Sequence, residues 1–140
     1  LGSNVTGNVG IAQPVDGLSG VVDIDVGRSV TCAALDDGTT RCWGQASYGQ
    51  HGTGNTYVSY SKPTKLAFFD DLDVSQIDLG YTSAFAITPE ATYPWGQADY
   101  GSLGIGGDLG QITIGAPALP HPAVDSADNP ITLTDVRTGR

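Results

Sequence analysis

The residues able to do chemistry are few. Cys32 and Cys42 are the only thiols in the chain. They flank Asp36-Asp37-Gly38, which reads as a hairpin loop: a type I turn followed by a glycine in the left-handed region, where the missing Cβ removes the strain. With Leu35 facing Thr39 across this loop, Cys32 faces Cys42. Directly opposed strand residues at a non-hydrogen-bonded position bring their Cβ atoms within disulfide range. We therefore expect a Cys32–Cys42 disulfide, in preference to two buried thiols or a metal site. A bond of this kind places a protein in an oxidising compartment.

The remaining candidates read more plainly. Asn4-Val5-Thr6 is a glycosylation sequon, and Asn4 also suits a turn in a glycine-rich loop. Asp70-Asp71-Leu72-Asp73 lacks the alternating oxygen ligands of a calcium loop and is expected to be a solvated connection. Asp23 and Asp25 share one face of a strand and read as its wet side. His51 is expected to be partly buried in a turn, and His121 lies in Pro120-His121-Pro122-Ala123, which reads as a linker. Neither histidine has a nucleophile and an orienting residue in a local motif. No glycine-rich phosphate loop ends in Lys-Ser or Lys-Thr. The chain is expected to be no enzyme and to hold no cofactor and no metal.

Composition narrows the partners. The 140 residues include 20 Gly and 8 Pro, and 15 acidic against 6 basic side chains give a formal charge of −9. A phosphate-binding surface needs a basic stripe, which six cations scarcely supply, so no nucleic acid is expected. No apolar run is long enough for a membrane-spanning helix. Glu90 is the only glutamate beside fourteen aspartates. Aspartate and glycine favour turns while glutamate favours helices, so the bias indicates short strands and tight turns.

The elements that must position these residues repeat. Trp43 to Gly54 matches Trp95 to Gly106 at eight of twelve positions, and Ile24-Asp25-Val26-Gly27 matches Ile77-Asp78-Leu79-Gly80. Leu1-Gly2 falls where Leu103-Gly104 falls, and Asp135-Val136 falls on Asp23-Ile24. Each unit reads as extended pieces: Val21 to Val26, then Thr31 to Leu35 and Thr39 to Trp43 around the Gly38 turn. The second unit offers Ala84 to Ile87 and Thr92 to Trp95, where Pro94 removes a donor and makes this hairpin less regular. Gln13-Pro14-Val15, Pro63 to Leu66 and Pro117 to Leu119 each close a unit as an edge strand beginning at proline. Four short antiparallel strands in roughly 50 residues describe a β-propeller blade in an all-β fold.

Gly27-x-x-x-Thr31-Cys32-Ala33, Asp37-Gly38, Trp43-Gly44 and Tyr48-Gly49-Gln50-x-Gly52 resemble the repeat of the regulator of chromosome condensation family, and secreted bacterial members in particular. The departures are Val30 and Ser83 where a histidine is common, and His51 where a leucine is usual. The resemblance implies a seven-bladed propeller. The glycines Gly27, Gly38, Gly44, Gly49, Gly52, Gly80, Gly96, Gly101 and Gly104 would then make turns between strands and blades, with Trp43 and Trp95 wedged between sheets. On this division residues 1–17 end a preceding blade, 18–68 and 69–124 are full repeats, and 125–140 begin another. About 2.7 repeats fall short of the roughly 350 residues that seven such blades need. The remaining blades are expected from the same longer chain or from other subunits.

The function expected from this reading is a non-catalytic extracellular or cell-surface propeller segment that binds a protein or glycan partner or serves as a structural scaffold. The alternatives are regulation of a small GTPase by nucleotide exchange, which the resemblance to the founding members implies, and a structural subunit of a surface appendage.

Overall fold

The computed structural model describes residues 2–3, 7–55, 57–97, 113–114, 122–125, 127 and 129–134. The sequon Asn4, Gly101, Gly104, His121 and the expected closing piece 117–119 lie outside the described residues. Two four-stranded antiparallel sheets are formed, each in simple sequence order. The first holds β1 (Val21–Val26), β2 (Val30–Leu35), β3 (Thr40–Ala46) and β4 (Val58–Lys65). The second holds β5 (Gln76–Leu79), β6 (Ser83–Ile87), β7 (Thr92–Gln97) and β8 (Thr113–Ile114). A single 3-10 turn, Ala67–Phe69, begins the connection between them. Among the described residues no helix is long and apolar enough to cross a membrane.

The Asp36-Asp37-Gly38 loop sets the register of the first sheet. Gly38 has φ +78°, and the Asp37 carboxylate accepts both the backbone N–H and the hydroxyl of Thr39. These two bonds hold the carboxyl below its ordinary pKa. Leu35 N–H donates to Thr39 O, so alternation puts Cys32 opposite Cys42 in a non-hydrogen-bonded pair. Their Cα atoms are 4.1 Å apart and their sulfurs are joined.

The second hairpin is more regular than Pro94 suggests, with unbroken pairing from Ser83–Gly96 to Ile87–Thr92. Gln97 N–H donates to Thr82 O, and alternation from that pair makes Phe85–Pro94 a non-hydrogen-bonded position. The missing donor therefore costs this ladder nothing. The turn is closed by Thr88, whose hydroxyl accepts from Glu90 and Ala91 N–H and donates to Ala91 O, which substitutes for the absent glycine.

The edges depart from the expected pattern. β4 begins at Val58, well before Pro63, and Pro63 sits where the β3–β4 register shifts between Cys42–Thr64 and Gly44–Tyr60. An irregular edge tolerates a residue without a donor. Gln13 to Val15 forms no strand; Val15 instead packs with Leu18 and Tyr60 over Ala33, Leu35 and Trp43. Pro122-Ala123 is no free linker. Ala123 is buried and its N–H donates to Thr92 O, just as Leu66 N–H donates to Thr40 O in the first blade.

The larger core lies between the sheets. Val30, Cys32 and Ala34 of β2 face Ile77, Leu79, Ala84 and Ala86 of the second blade, with Phe69 and Trp95 filling the space behind. Because Ala33 and Leu35 are buried on the opposite face, β2 reads as a continuous apolar run and lacks the alternation of a one-sided strand. Alkylation before and after reduction checks the sulfur pairing: two cysteines should react only after reduction. Replacing both by alanine should lower stability to urea by about 2–3 kcal/mol, the loop-closure value for so short a loop.

Candidate functional site

The seam between the blades positions everything on their loop-bearing face. Gly80 N–H donates to Ser83 O, so the N–H groups of Ile77 and Leu79 point away from β6, off the edge of the sheet. Asp23 Oδ2 accepts the first and Asp25 Oδ2 accepts the second, each at 2.6 Å. The sequence placed these aspartates on a wet face. They are half-buried, because their two-residue spacing on β1 matches the two-residue spacing of free donors on β5. At the end of this seam Gly27 meets Gly80: a Cβ on Gly27 would lie 2.8 Å from Gly80 O.

Trp-Gly recurs because both members are needed. Gly44 and Gly96 have φ +106° and +97°, and a Cβ there would lie 2.2 Å from Ser29 O or 2.4 Å from Thr82 O. No side chain fits either position, and both glycines lie within strands, β3 and β7, where the sequence reading had placed turns. Trp95 is buried, and its indole N–H donates to Gln50 O of the preceding unit at 2.8 Å. A Cβ at Gly52 would crowd that indole, and a Cβ at Gly2 would crowd the indole of Trp43 in the same way. Gly49 and Gly52, both with positive φ, close the intervening turn through a Gly52 N–H to Gly49 O bond.

Gln50 ties this turn to both units. Its Oε1 accepts Tyr48 N–H, and its Nε2 donates to Tyr81 O across the seam. Above it opens a cleft of about 210 Å³, lined by Arg28, Ser29, Gln45, Ser47, Tyr48, Gln50 and Tyr81. The Arg28 guanidinium lies over the Tyr81 ring, 4.5 Å from its centre, and one of its N–H groups donates to the Tyr81 hydroxyl. The sequence reading named Gln50 only as part of the repeat motif and gave Arg28 no role in a site. The signal was there: the offset of 53 that aligns Ile24 with Ile77 also aligns Arg28 with Tyr81.

His51 is buried completely, more than a turn position suggested. Its Nε2–H donates to Gly44 O at 3.0 Å and its ring meets the Tyr60 ring edge-on, while Nδ1 is buried with no partner among the described residues. Burial pushes the imidazole pKa below its ordinary 6.5, and the Gly44 bond offsets this only in part. The unfolded chain then binds a proton that the folded chain resists, so stability should fall as pH drops below about 6.5. His51→Leu should flatten this dependence in thermal unfolding followed from pH 7.5 to 5.

Comparison with known proteins agrees with this geometry. Residues 37–87 match the sequence model described as the regulator of chromosome condensation (RCC1) repeat, and residues 21–50 match a second model of that description. Among curated relatives, the human E3 ubiquitin-protein ligase HERC2 is 35% identical over 99 residues, covering 67% of this chain and 2% of that protein. The ultraviolet-B receptor UVR8 of Arabidopsis thaliana is 29% identical over 109 residues, covering 76% of this chain and 24% of that protein. The chain thus spans a quarter or less of these relatives, both of which are eukaryotic. Among solved structures, human WBSCR16 superposes with a TM-score of 0.63 at 24% identity, covering 83% of this chain and 28% of that one. Yeast RCC1 (Prp20), solved bound to Kap60, gives 0.56 at 23% identity, covering 86% and 27%. With its blades, its repeated Trp-Gly pairs and its matched residues 21–87 all of one kind, the chain belongs to the RCC1 repeat family.

Proposed function

We propose that this chain is a non-catalytic section of a larger propeller that acts as a protein-binding scaffold outside the cell or at its surface. The observation that carries the binding role is the pinned loop face. Asp23 and Asp25 fix the inner strands of two blades to each other, and Gln50 and Trp95 fix the loops beyond them, so the cleft is preformed and loses little entropy when a partner docks. The paired cysteines support an oxidising compartment. Free thiols in protein taken directly from its source would remove that support.

Further blades are supported by a contrast between equivalent residues. Ile77 and Leu79 are 3% and 6% exposed under the first blade, whereas their counterparts Ile24 and Val26 are 50% and 60% exposed. Together with Val22, they present an apolar strip that a preceding blade would cover. Such a blade could come from the same longer chain or from another subunit.

A second reading, regulation of a small GTPase as in the founding members, draws support from the likeness to Prp20p, whose structure is reported with its binding to Gsp1p and histones. Faster release of labelled GDP from a small GTPase on adding this protein would select it. The scaffold reading is tested by photo-crosslinking in the native setting, with the reactive residue at Tyr48 in the cleft or at Asp37 on the hairpin loop. A discrete adduct from Tyr48 and none from Asp37 is expected. Equal labelling at both positions, or none at either, would overturn a face-specific partner.

A further inference from the structure

We propose that the cleft beside Arg28 receives a carboxylate presented by a protein partner. This rests on the protein-binding reading above and names the chemistry that the cleft recognises. The first support is charge. Acidic residues outnumber basic ones by 15 to 6, yet among the described residues no acidic side chain lines this cleft. Among the described residues Arg28 makes no ion pair, whereas Lys65 pairs with Asp70 at 2.9 Å. A cation kept clear of carboxylates in so acidic a chain is available to one brought from outside.

The second support is preorganisation. Arg28 is exposed, but stacking on Tyr81 and the bond to its hydroxyl hold the planar guanidinium in place. One donor is thereby used and the others remain for a ligand, in the fork geometry that matches a carboxylate. The Ser29 and Ser47 hydroxyls, which have no hydrogen-bond partner among the described residues, line the same space and can donate to the same anion. The Gln50 amide is committed at both ends, so it shapes the cleft without competing for the ligand.

The charge of the ligand follows from its surroundings. A single guanidinium in a chain of net charge −9 suits a monoanion. Phosphate groups carry nearly twice that charge and are bound in proteins by clusters of arginines. The rim aromatics Tyr48 and Tyr81 offer apolar surface to the stem of an acidic side chain or to a chain end. The ligand class is therefore a carboxylate on a peptide, and free inorganic anions should bind less well.

The test is a titration of the ¹⁵N-labelled protein, reading the Arg28 Nε–H resonance. The probes are a capped Gly-Glu-Gly peptide, its Gln counterpart, sodium acetate and inorganic phosphate. The Glu peptide should give a saturable shift, with the Gln peptide weaker by about tenfold or more, as expected for losing a charge-assisted pair. Read at the Ser29 and Ser47 backbone amides, the shift should be abolished by Arg28→Gln and weakened several-fold by Tyr81→Leu, with the folded spectrum intact in both. Equal binding of the Gln peptide, or a response that survives Arg28→Gln at the Ser29 and Ser47 amides, would overturn the proposal. Acetate or phosphate binding as tightly as the Glu peptide would overturn the assignment to a peptide. Peptide binding without a crosslinked adduct at Tyr48 would support this site while removing the scaffold reading. An adduct that forms unchanged in Arg28→Gln would do the reverse.

Discussion

Two carboxylates hold the arrangement together. Asp23 and Asp25 accept N–H groups at the inner edge of the next sheet, where no strand is available to pair with them. An unpaired donor in this half-buried place would cost about 1–3 kcal/mol, and a charged acceptor satisfies it better than a neutral one. The two bonds fix the distance and the rotation of one blade against its neighbour. The small residues at the interface, Ala34, Ala84 and Ala86, then let the sheets approach closely enough to bury Ile77 and Leu79. The position of the outer cleft follows, since Arg28 and Tyr81 lie just beyond the ends of the same two inner strands.

The outer seam works by a different chemistry. There a single glutamine and a single indole make three contacts to the backbone, two of them between blades. The two seams bracket an apolar interior, so each blade is held at its inner strand and at its loops while Val30, Cys32 and Ala34 of β2 pack against Ala84 and Ala86 of β6. This division explains the distribution of glycine. The glycines gather where backbone must approach backbone or indole, at Gly27, Gly44, Gly52 and Gly96, and are absent from the packed interior of β2 and β6.

Much of the fold was legible because it rests on local chemistry. The Asp36-Asp37-Gly38 loop fixes the facing of Cys32 and Cys42, and the repeated Trp-Gly pair marks a positive-φ strand position that only glycine fits. What was misread depends on neighbours that no local pattern reveals. Asp23 and Asp25 have the alternation of a wet strand face, and only the donors of another blade turn that face inward. Pro94 looked disruptive because the parity of its pairing is set by Gln97 and Thr82, outside the hairpin as first drawn. Ala123 looked like part of a linker because its partner, Thr92, lies far back in the chain. The candidate site was least legible, since its members come from three loops and the end of β3 and meet only across the seam.

Arg28 and Tyr81 occupy the same place in consecutive units, and the cleft belongs to neither unit alone. Its character is therefore written in two letters, one drawn from each side of a joint. Exchanging a unit would rewrite the joints on both of its flanks while leaving the frame untouched. Recognition in such an array is a property of adjacency, and the order of the units carries information that their individual compositions do not.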